Sequence, residues 1–340
     1  MQEIIIITDY KGYFGSKHNA SPYRSGMDID LLKMLFEKNN FIVTIENFAK
    51  ISFSKNYENT IVIYTGSEDH NLLYKSYIED VILGLQNLGA MVIPGFDFLK
   101  ANNNKVYMEI LRNRIDPANR FNTKFFGTLQ ELKDNINTIN PPVILKKSAG
   151  AMSKGVFLAK TKEEVIKNAK KISQTKNLLF DIKDKIRRNR HKGYIPESTN
   201  RNKFIVQNFI PDLNNDWKVL VFFDKCFILK RTIKPGDFRA SGSGYQYKFD
   251  VKAEFPQGIF DFCIDYKNKL NVPNISLDVA FDGKEFFIIE FQALYFGTTT
   301  QEKSKYFFQK EKNTWIPKTN NFSIEEIFVY GIKEYYSKKA

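Results

Sequence analysis

The most constraining stretch of this chain is Ile275-Ser276-Leu277-Asp278-Val279-Ala280, followed by Asp282-Gly283-Lys284 and the returning run Phe286-Phe287-Ile288-Ile289-Glu290-Phe291-Gln292. Asp-Gly between two apolar runs is a hairpin signal. Side chains repeat every second residue along a strand, so Glu290 and Gln292 share a face. Pairing counted from the turn brings Asp278 to the neighbouring strand at about the same height. Carboxylates and an amide oxygen converging inside an apolar hairpin repel unless a hard cation joins them, and Mg²⁺ takes such oxygen ligands while sharing substrate phosphates. The competing reading is that one carboxylate pairs with an Arg or Lys.

A second segment, Pro142-Val143-Ile144-Leu145-Lys146-Lys147-Ser148-Ala149-Gly150-Ala151-Met152-Ser153-Lys154-Gly155-Val156, reads as a strand that delivers a lysine into a small-residue loop and then resumes as a strand. Backbone N–H groups of such a loop can surround phosphate oxygens while the ammonium neutralises them. A glycine-containing hairpin with no ligand has the same pattern, so the segment gains weight only beside the acidic hairpin.

At 340 residues the chain is long for one hydrophobic core, and two or three packed units are expected. Hydrophobic content of 43%, with 15% aromatic, fits a globular protein. The formal net charge of +13 invites polyanions, but it is spread over Lys-rich faces without a basic tail. The basic cluster Arg187, Arg188, Arg190, Lys192 reads first as a solvated helix end and second as a site for an acidic acceptor. Cys226 and Cys263 lie in apolar runs, as core residues of a reducing compartment do. His18, His70 and His191 are isolated, which gives a nucleophilic triad no support. The opening Met1 to Asp9 is too short and too acidic for a signal peptide, and no apolar run approaches the ~20 residues of a membrane span. A soluble cytoplasmic protein is expected.

Strands are expected at Ile4 to Thr8, Phe41 to Ile45, Thr60 to Tyr64 and Ala90 to Ile93, with helices at Asp28 to Phe36 and Asn71 to Leu88. This alternation argues a small open α/β sheet. Further helices are expected at Asn102 to Ile115, Thr161 to Ile172, Pro256 to Tyr266, Lys303 to Lys310 and Ser323 to Tyr336.

Lysine loop and acidic hairpin, in this order, resemble the ATP-grasp superfamily over most of the chain after about residue 100. The fold that the resemblance implies is α/β and α+β: a Rossmann-like N-terminal domain (1–101), then a two-subdomain ATP-grasp module with the phosphate loop in 102–205 and the metal site in 206–340. On this resemblance Lys105 is similar to a first nucleotide-contacting lysine, and Lys146 to the one holding the α and β phosphates. Ser148, Gly150, Ser153 and Gly155 lie in what looks like the loop over the triphosphate. Gln207, Asn208, Phe209 and Ile210 resemble the hinge that meets adenine, with Gln207 where the family often has Glu. Asp216 and Lys218 lie on the strand whose acidic residue takes ribose hydroxyls. Arg231, and Arg239 in the loop with Gly242 and Gly244, resemble the arginines beside the transferred phosphoryl group, although an exposed Gly/Ser loop would look the same. Asp278, Glu290 and Gln292 match the magnesium ligands, where Gln292 replaces the usual Asn and adds a methylene.

The resemblance implies ATP and Mg²⁺, with Mn²⁺ as a substitute, and an ATP-dependent ligase joining a carboxylate to an amine through an acyl phosphate. Small-molecule acceptors (amino acid, peptide or sugar acid) and a homodimer are the implied partners; no membrane is expected, and nucleic acid is not favoured. A grasp-fold kinase, or a nucleotide- or nucleic-acid-binding protein without turnover, are the other classes. Ser16, Arg24, the Gly66-Ser67-Glu68 loop and Tyr295 to Thr300 are the candidate acceptor segments.

Overall fold

Buried strands in a parallel sheet need apolar residues on both faces, and the first strand has them. In the computed structural model, which describes residues 1–117, 121–150, 155–175, 177–239, 245–249 and 254–339, β1 (Gln2–Thr8) sends Ile4 and Ile6 into one core and Ile7 into another. With β2 (Phe41–Asn47), β3 (Thr60–Tyr64) and β4 (Met91–Ile93) it forms a parallel sheet of order β2-β1-β3-β4. Helices α1 (Ile29–Lys38) and α2 (Leu73–Asn87) connect its strands, and α3 (Phe96–Ala101) follows β4. The Asp28 carboxylate accepts from Leu31 N at 3.0 Å and starts α1, as N-cap residues do.

The middle of the chain builds an antiparallel sheet from β5 (Lys124–Phe126), β6 (Val143–Lys147), β7 (Val156–Ala159) and β8 (Phe204–Asn208), in the order β5-β8-β6-β7. Its helices are α4 (Lys105–Ile115), α5 (Leu129–Asp134), α6 (Lys162–Ser173) and α7 (Leu178–Arg190). Val143, Leu145, Phe204 and Val206 form the apolar face, packed with Leu129, Leu132, Val165 and Ala169 of α5 and α6. Alternation turns Ile144, Lys146, Ile205 and Gln207 to the other face, with Ile144 opposite Gln207 and Lys146 opposite Ile205.

The last third contributes β9 (Asn215–Phe222), β10 (Lys225–Thr232), β11 (Tyr247–Lys248), β12 (Asn274–Phe281), β13 (Phe286–Gln292), β14 (Tyr306–Glu311) and β15 (Thr314–Thr319) to one sheet. The order is β13-β12-β9-β10-β14-β15, with β11 on β10. Helices α8 (Ile259–Leu270), α9 (Thr299–Lys303) and α10 (Ile324–Lys339) accompany it.

The helix expected from Lys303 to Lys310 is a correction: the segment ends α9 and enters β14. Lys312 and Asn313 both adopt positive φ, 44° and 71°, which suits a two-residue hairpin turn into β15. Phe307 and Phe308 are both buried, so neither a helical nor an alternating pattern marked the strand.

The chain divides into two compact units, residues 1–102 with 212–340, and residues 103–211. Inside the first unit, Leu220 and Phe222 of β9 and Phe227 of β10 share a core with Ile4, Ile6 and Leu32 and with Ile327 and Ile332 of α10. The two ends of the sequence therefore bury one another. The other end of β9 is polar, and there the candidate residues collect.

Candidate functional site

Along β9 one face carries Asp216, Lys218, Leu220 and Phe222 in succession, so a single strand runs from a charged end into an apolar core. Register sets Arg231 of β10 opposite Asp216, and Asp278 of β12 opposite Lys218. Arg231 donates from Nε and Nη2 to the two Asp216 oxygens at 2.6 and 2.8 Å. Its Nη2 also lies 3.0 Å from Asp278 Oδ2, and Lys218 Nζ lies 3.6 Å from Asp278 Oδ1. The competing reading of the acidic hairpin is thus the one seen at Asp278, which is paired with Arg231 and, at a longer distance, with Lys218. Oδ1 is buried and accepts no hydrogen bond.

Burial pushes the Asp216 carboxyl up, Arg231 opposes this and Asp278 adds to it, and the result is about 6. Asp278 is buried as well, but Arg231 and then Lys218 outweigh that penalty and hold its carboxyl below the usual range. Burial alone would lower the Arg231 guanidinium; Asp278 and Asp216 raise it instead.

The metal-strand residues depend on a local irregularity. From the turn, Phe281 pairs with Phe286, Ala280 with Phe287 and Val279 with Ile288. A bulge then inserts Ile289, so that Asp278 faces Glu290 and Ser276 faces Gln292. Without it Asp278 would oppose Ile289, and the two carboxylates would point to opposite faces of the sheet. Glu290 and Gln292 are half-buried. Among the described residues no group of three or more His, Cys, Asp or Glu side chains is placed to hold a metal ion. The predicted set is of another kind, carboxylates with an amide, and the unsatisfied Asp278 Oδ1 fits an oxygen-seeking cation.

Among the described residues no contact brings Arg239 to this cluster; its guanidinium binds the carboxylate of nearby Asp237, at 3.0 Å from both Nε and Nη2. Gly242, Gly244 and Ser153 lie outside the described residues.

In the other unit, the chain entering α4 holds the start of the lysine loop. Asn103 Oδ1 accepts from Gly150 N at 2.6 Å, Asn104 Oδ1 accepts from the Ser148 hydroxyl at 3.1 Å, and Lys105 N donates to Ser148 O at 2.9 Å. Lys105 Nζ donates to Gly150 O at 3.0 Å. The end of the loop is set by Gly155, whose φ of 86° suits glycine and whose carbonyl accepts from Lys147 N at 3.0 Å. Lys146 and Gln207 lie on one face of this sheet.

Gln207 is 2% exposed; its Nε2 donates to Thr123 Oγ1 at 3.0 Å, and its Oε1 is buried without a hydrogen-bond partner. Thr123 in turn donates to Glu109, which is paired with Arg112 at 3.1 Å. The free oxygen fits an amine donor such as that of adenine. Asn208 ends β8 with its N–H bonded to Phe121 O at 3.0 Å, and Phe209 and Ile210 follow it, half-buried.

Asn103, Asn104, Thr123 and Glu109 were not among the sequence-derived candidates. Only Asn104 carried a readable signal, as the N-cap of α4 with Tyr107 N at 3.3 Å.

Residues 100–246 match the family model described as a RimK-like ATP-grasp domain. No curated protein sequence matches the chain. Among solved structures, the RiPP-associated ATP-grasp ligase of Chryseobacterium gregarium, in complex with ADP and a leader and core peptide, aligns with a TM-score of 0.54 at 12% identity, over 100% of this chain and 98% of that one. D-cycloserine synthetase DcsG aligns at 0.54 and 9% identity, over 98% and 99%. D-alanine–D-alanine ligase from Bacillus anthracis aligns at 0.50 and 12% identity, over 100% and 99%. At these identities the likeness is one of fold. Together with the family match, it gives the chain an ATP-grasp fold, in which residues 100–246 are similar to a RimK-like ATP-grasp domain.

Proposed function

We propose that the protein is an ATP-dependent ligase that joins a carboxylate to an amine through an acyl phosphate, releasing ADP and phosphate. One observation carries this reading: Arg231, Lys218, Asp278, Glu290 and Gln292 are set by strand register on one face at the polar end of a sheet whose other end is a hydrophobic core. Buried charges of both signs add little to stability compared with apolar residues, whereas they suit a phosphoryl group and its counter-cation.

Asp278, Glu290 and Gln292 would hold Mg²⁺ or Mn²⁺, which when bound neutralises phosphate charge. Arg231, fixed by both Asp216 oxygens, presents its guanidinium in one orientation and stabilises charge on the transferred group. Asp216 acts here by holding Arg231. Lys146 binds the α and β phosphates, Lys105 and the Ser148–Gly150 segment shape the loop around them, and Gln207 Oε1 accepts from the adenine amine. The hinge backbone at Asn208 to Ile210 completes the adenine contact, and Lys218 keeps Asp278 ionised.

The acceptors enter beside Tyr295. Burial raises its hydroxyl pKa and Glu68 adds to this, while Arg24 and Ser16 oppose it, so the separate candidate segments gather around one ring. Arg24 supplies a cation for an acceptor carboxylate. The acceptor class is an amino acid, peptide or sugar acid, as the amino-acid and peptide ligases of this fold suggest.

Measuring ADP release over amino acids, peptides and sugar acids offered singly and in pairs tests the proposal. A ligase yields ADP and phosphate with one pair only, and the product has the mass of both acceptors less water. A stable phosphorylated product from a single acceptor would make the protein a kinase. Absence of turnover, with no change in Tm on adding Mg-ATP, would remove the enzyme reading.

A further inference from the structure

Helix α7 is inverted with respect to the usual surface helix. Its one buried side chain is a carboxylate, Asp184, which accepts from the Tyr194 hydroxyl and from Glu197 N at 2.8 Å. Its aliphatic residues face outward: Leu178 is 79% exposed, Leu179 76%, Ile182 57% and Ile186 45%. The helix is properly started, with Asn177 accepting from Phe180 N at 3.1 Å, so the outward face belongs to an ordered element. Amphipathic helices normally turn such a stripe inward, and an outward one marks a surface that something else covers.

Spacing tells what covers it. Leu179, Ile182 and Ile186 follow the three-then-four rhythm of a coiled-coil seam, with Asp184 diametrically opposite, toward the body of the protein. In the same frame the positions flanking the seam are Leu178, Lys183, Lys185 and Arg190, and the three charged ones are all exposed and all cationic. Flanking charges of one sign select a partner with the other sign. A second copy of this chain would set cations against cations in either orientation. The seam also carries no Trp or Tyr of the kind that anchors helices at a lipid interface.

We propose that the outward face of α7 docks an acidic amphipathic helix of a partner polypeptide, with aliphatic residues at the seam and Glu or Asp beside it. The aliphatic side chains of the partner close over Ile182, and its carboxylates pair with Lys183, Lys185 and Arg190. Nucleotide chemistry plays no part in this docking.

The probe is a synthetic three-heptad peptide with Leu at the seam and Glu on both flanks, compared with the same peptide carrying Lys on both flanks. Fluorescence anisotropy with the full chain reads the affinity. The wild type is expected to bind the Glu peptide at least ~10-fold more tightly than the Lys peptide, and to lose that preference as salt is raised. The triple variant K183E/K185E/R190E should reverse the preference, and Ile182→Asp should abolish binding of both peptides. Each changes only exposed residues, and unchanged Tm and ATP turnover show that the fold is kept. Failure to bind the Glu peptide, or equal binding of the two peptides, overturns the proposal. So does Ile182-dependent sedimentation with phosphatidylserine vesicles, or Ile182-dependent dimerisation, in the absence of Glu-peptide binding.

Discussion

The hairpin of β6 and β7 and the hairpin of β12 and β13 both bring charge to the end of a sheet, but they position it by different means. In the first, Lys146 sits in a regular ladder opposite Ile205, and alternation alone gives its face. Backbone and asparagine hydrogen bonds to Ser148, Gly150 and Gly155 then shape the loop beyond it. In the second, the carboxylates share a face only because Ile289 is bulged out, and they coexist because Arg231 lies against Asp278 and Asp216. A lone cation on a strand needs a register; a group of buried acids needs a register and a counter-charge.

The strongest way to break the contrast is to remove that counter-charge. Arg231→Met leaves Asp216 and Asp278 buried without their cation and should cost about 3–5 kcal/mol, read as a lowered denaturation midpoint. Unchanged stability would mean that the acids are not held by Arg231. Next, Glu290→Ala should lower ADP release by ~10²-fold while Tm stays near that of the wild type. Full activity in this variant would remove Glu290 from the metal set.

A smaller effect is expected from pH. The Asp216 carboxyl is raised to about 6 in the folded chain, against about 3.9 when unfolded. Between these values the folded state holds the extra proton, so Asp216 favours folding below about 4, and that contribution is lost as pH rises through 6. Asp278, with its carboxyl lowered, contributes above the unfolded value and loses that contribution in more acidic solution. Asp216→Asn should remove a dependence on the order of 2 kcal/mol between pH 4 and 6, measured as Tm against pH. A wild type and variant with parallel pH profiles would contradict the raised carboxyl.

The mildest test concerns the regular hairpin. Gly155→Ala places a Cβ at positive φ and 3.1 Å from Lys147 Cβ, and about 1 kcal/mol of destabilisation follows. If the alanine variant is as stable as the wild type, the loop is not held by this glycine.

Most of the strands and helices were legible because apolar periodicity and caps are local. Thr60 to Tyr64 is a strand at the expected limits, and Asp28 starts α1 through its own side chain. The segment around Phe307 was not, since both of its faces are buried and its turn residues, Lys312 and Asn313, are not the usual glycine pair. Lys146, Gln207, Asp278 and Glu290 could be picked from their motifs. Thr123 and Glu109, which orient Gln207, could not, because their role depends on contacts between elements far apart in sequence.

The sequence alone thus determined which residues carry charge into strands, through alternation, turn chemistry and composition, all of which act within a few residues. Tertiary structure decided which charges meet. The bulge at Ile289 has no local signature; it puts Glu290 opposite Asp278, while cross-strand register delivers Arg231 to both Asp216 and Asp278. The burial of residues 1–102 against 212–340 is likewise a matter of complementary apolar faces, and no single segment of the chain encodes both sides of that fit.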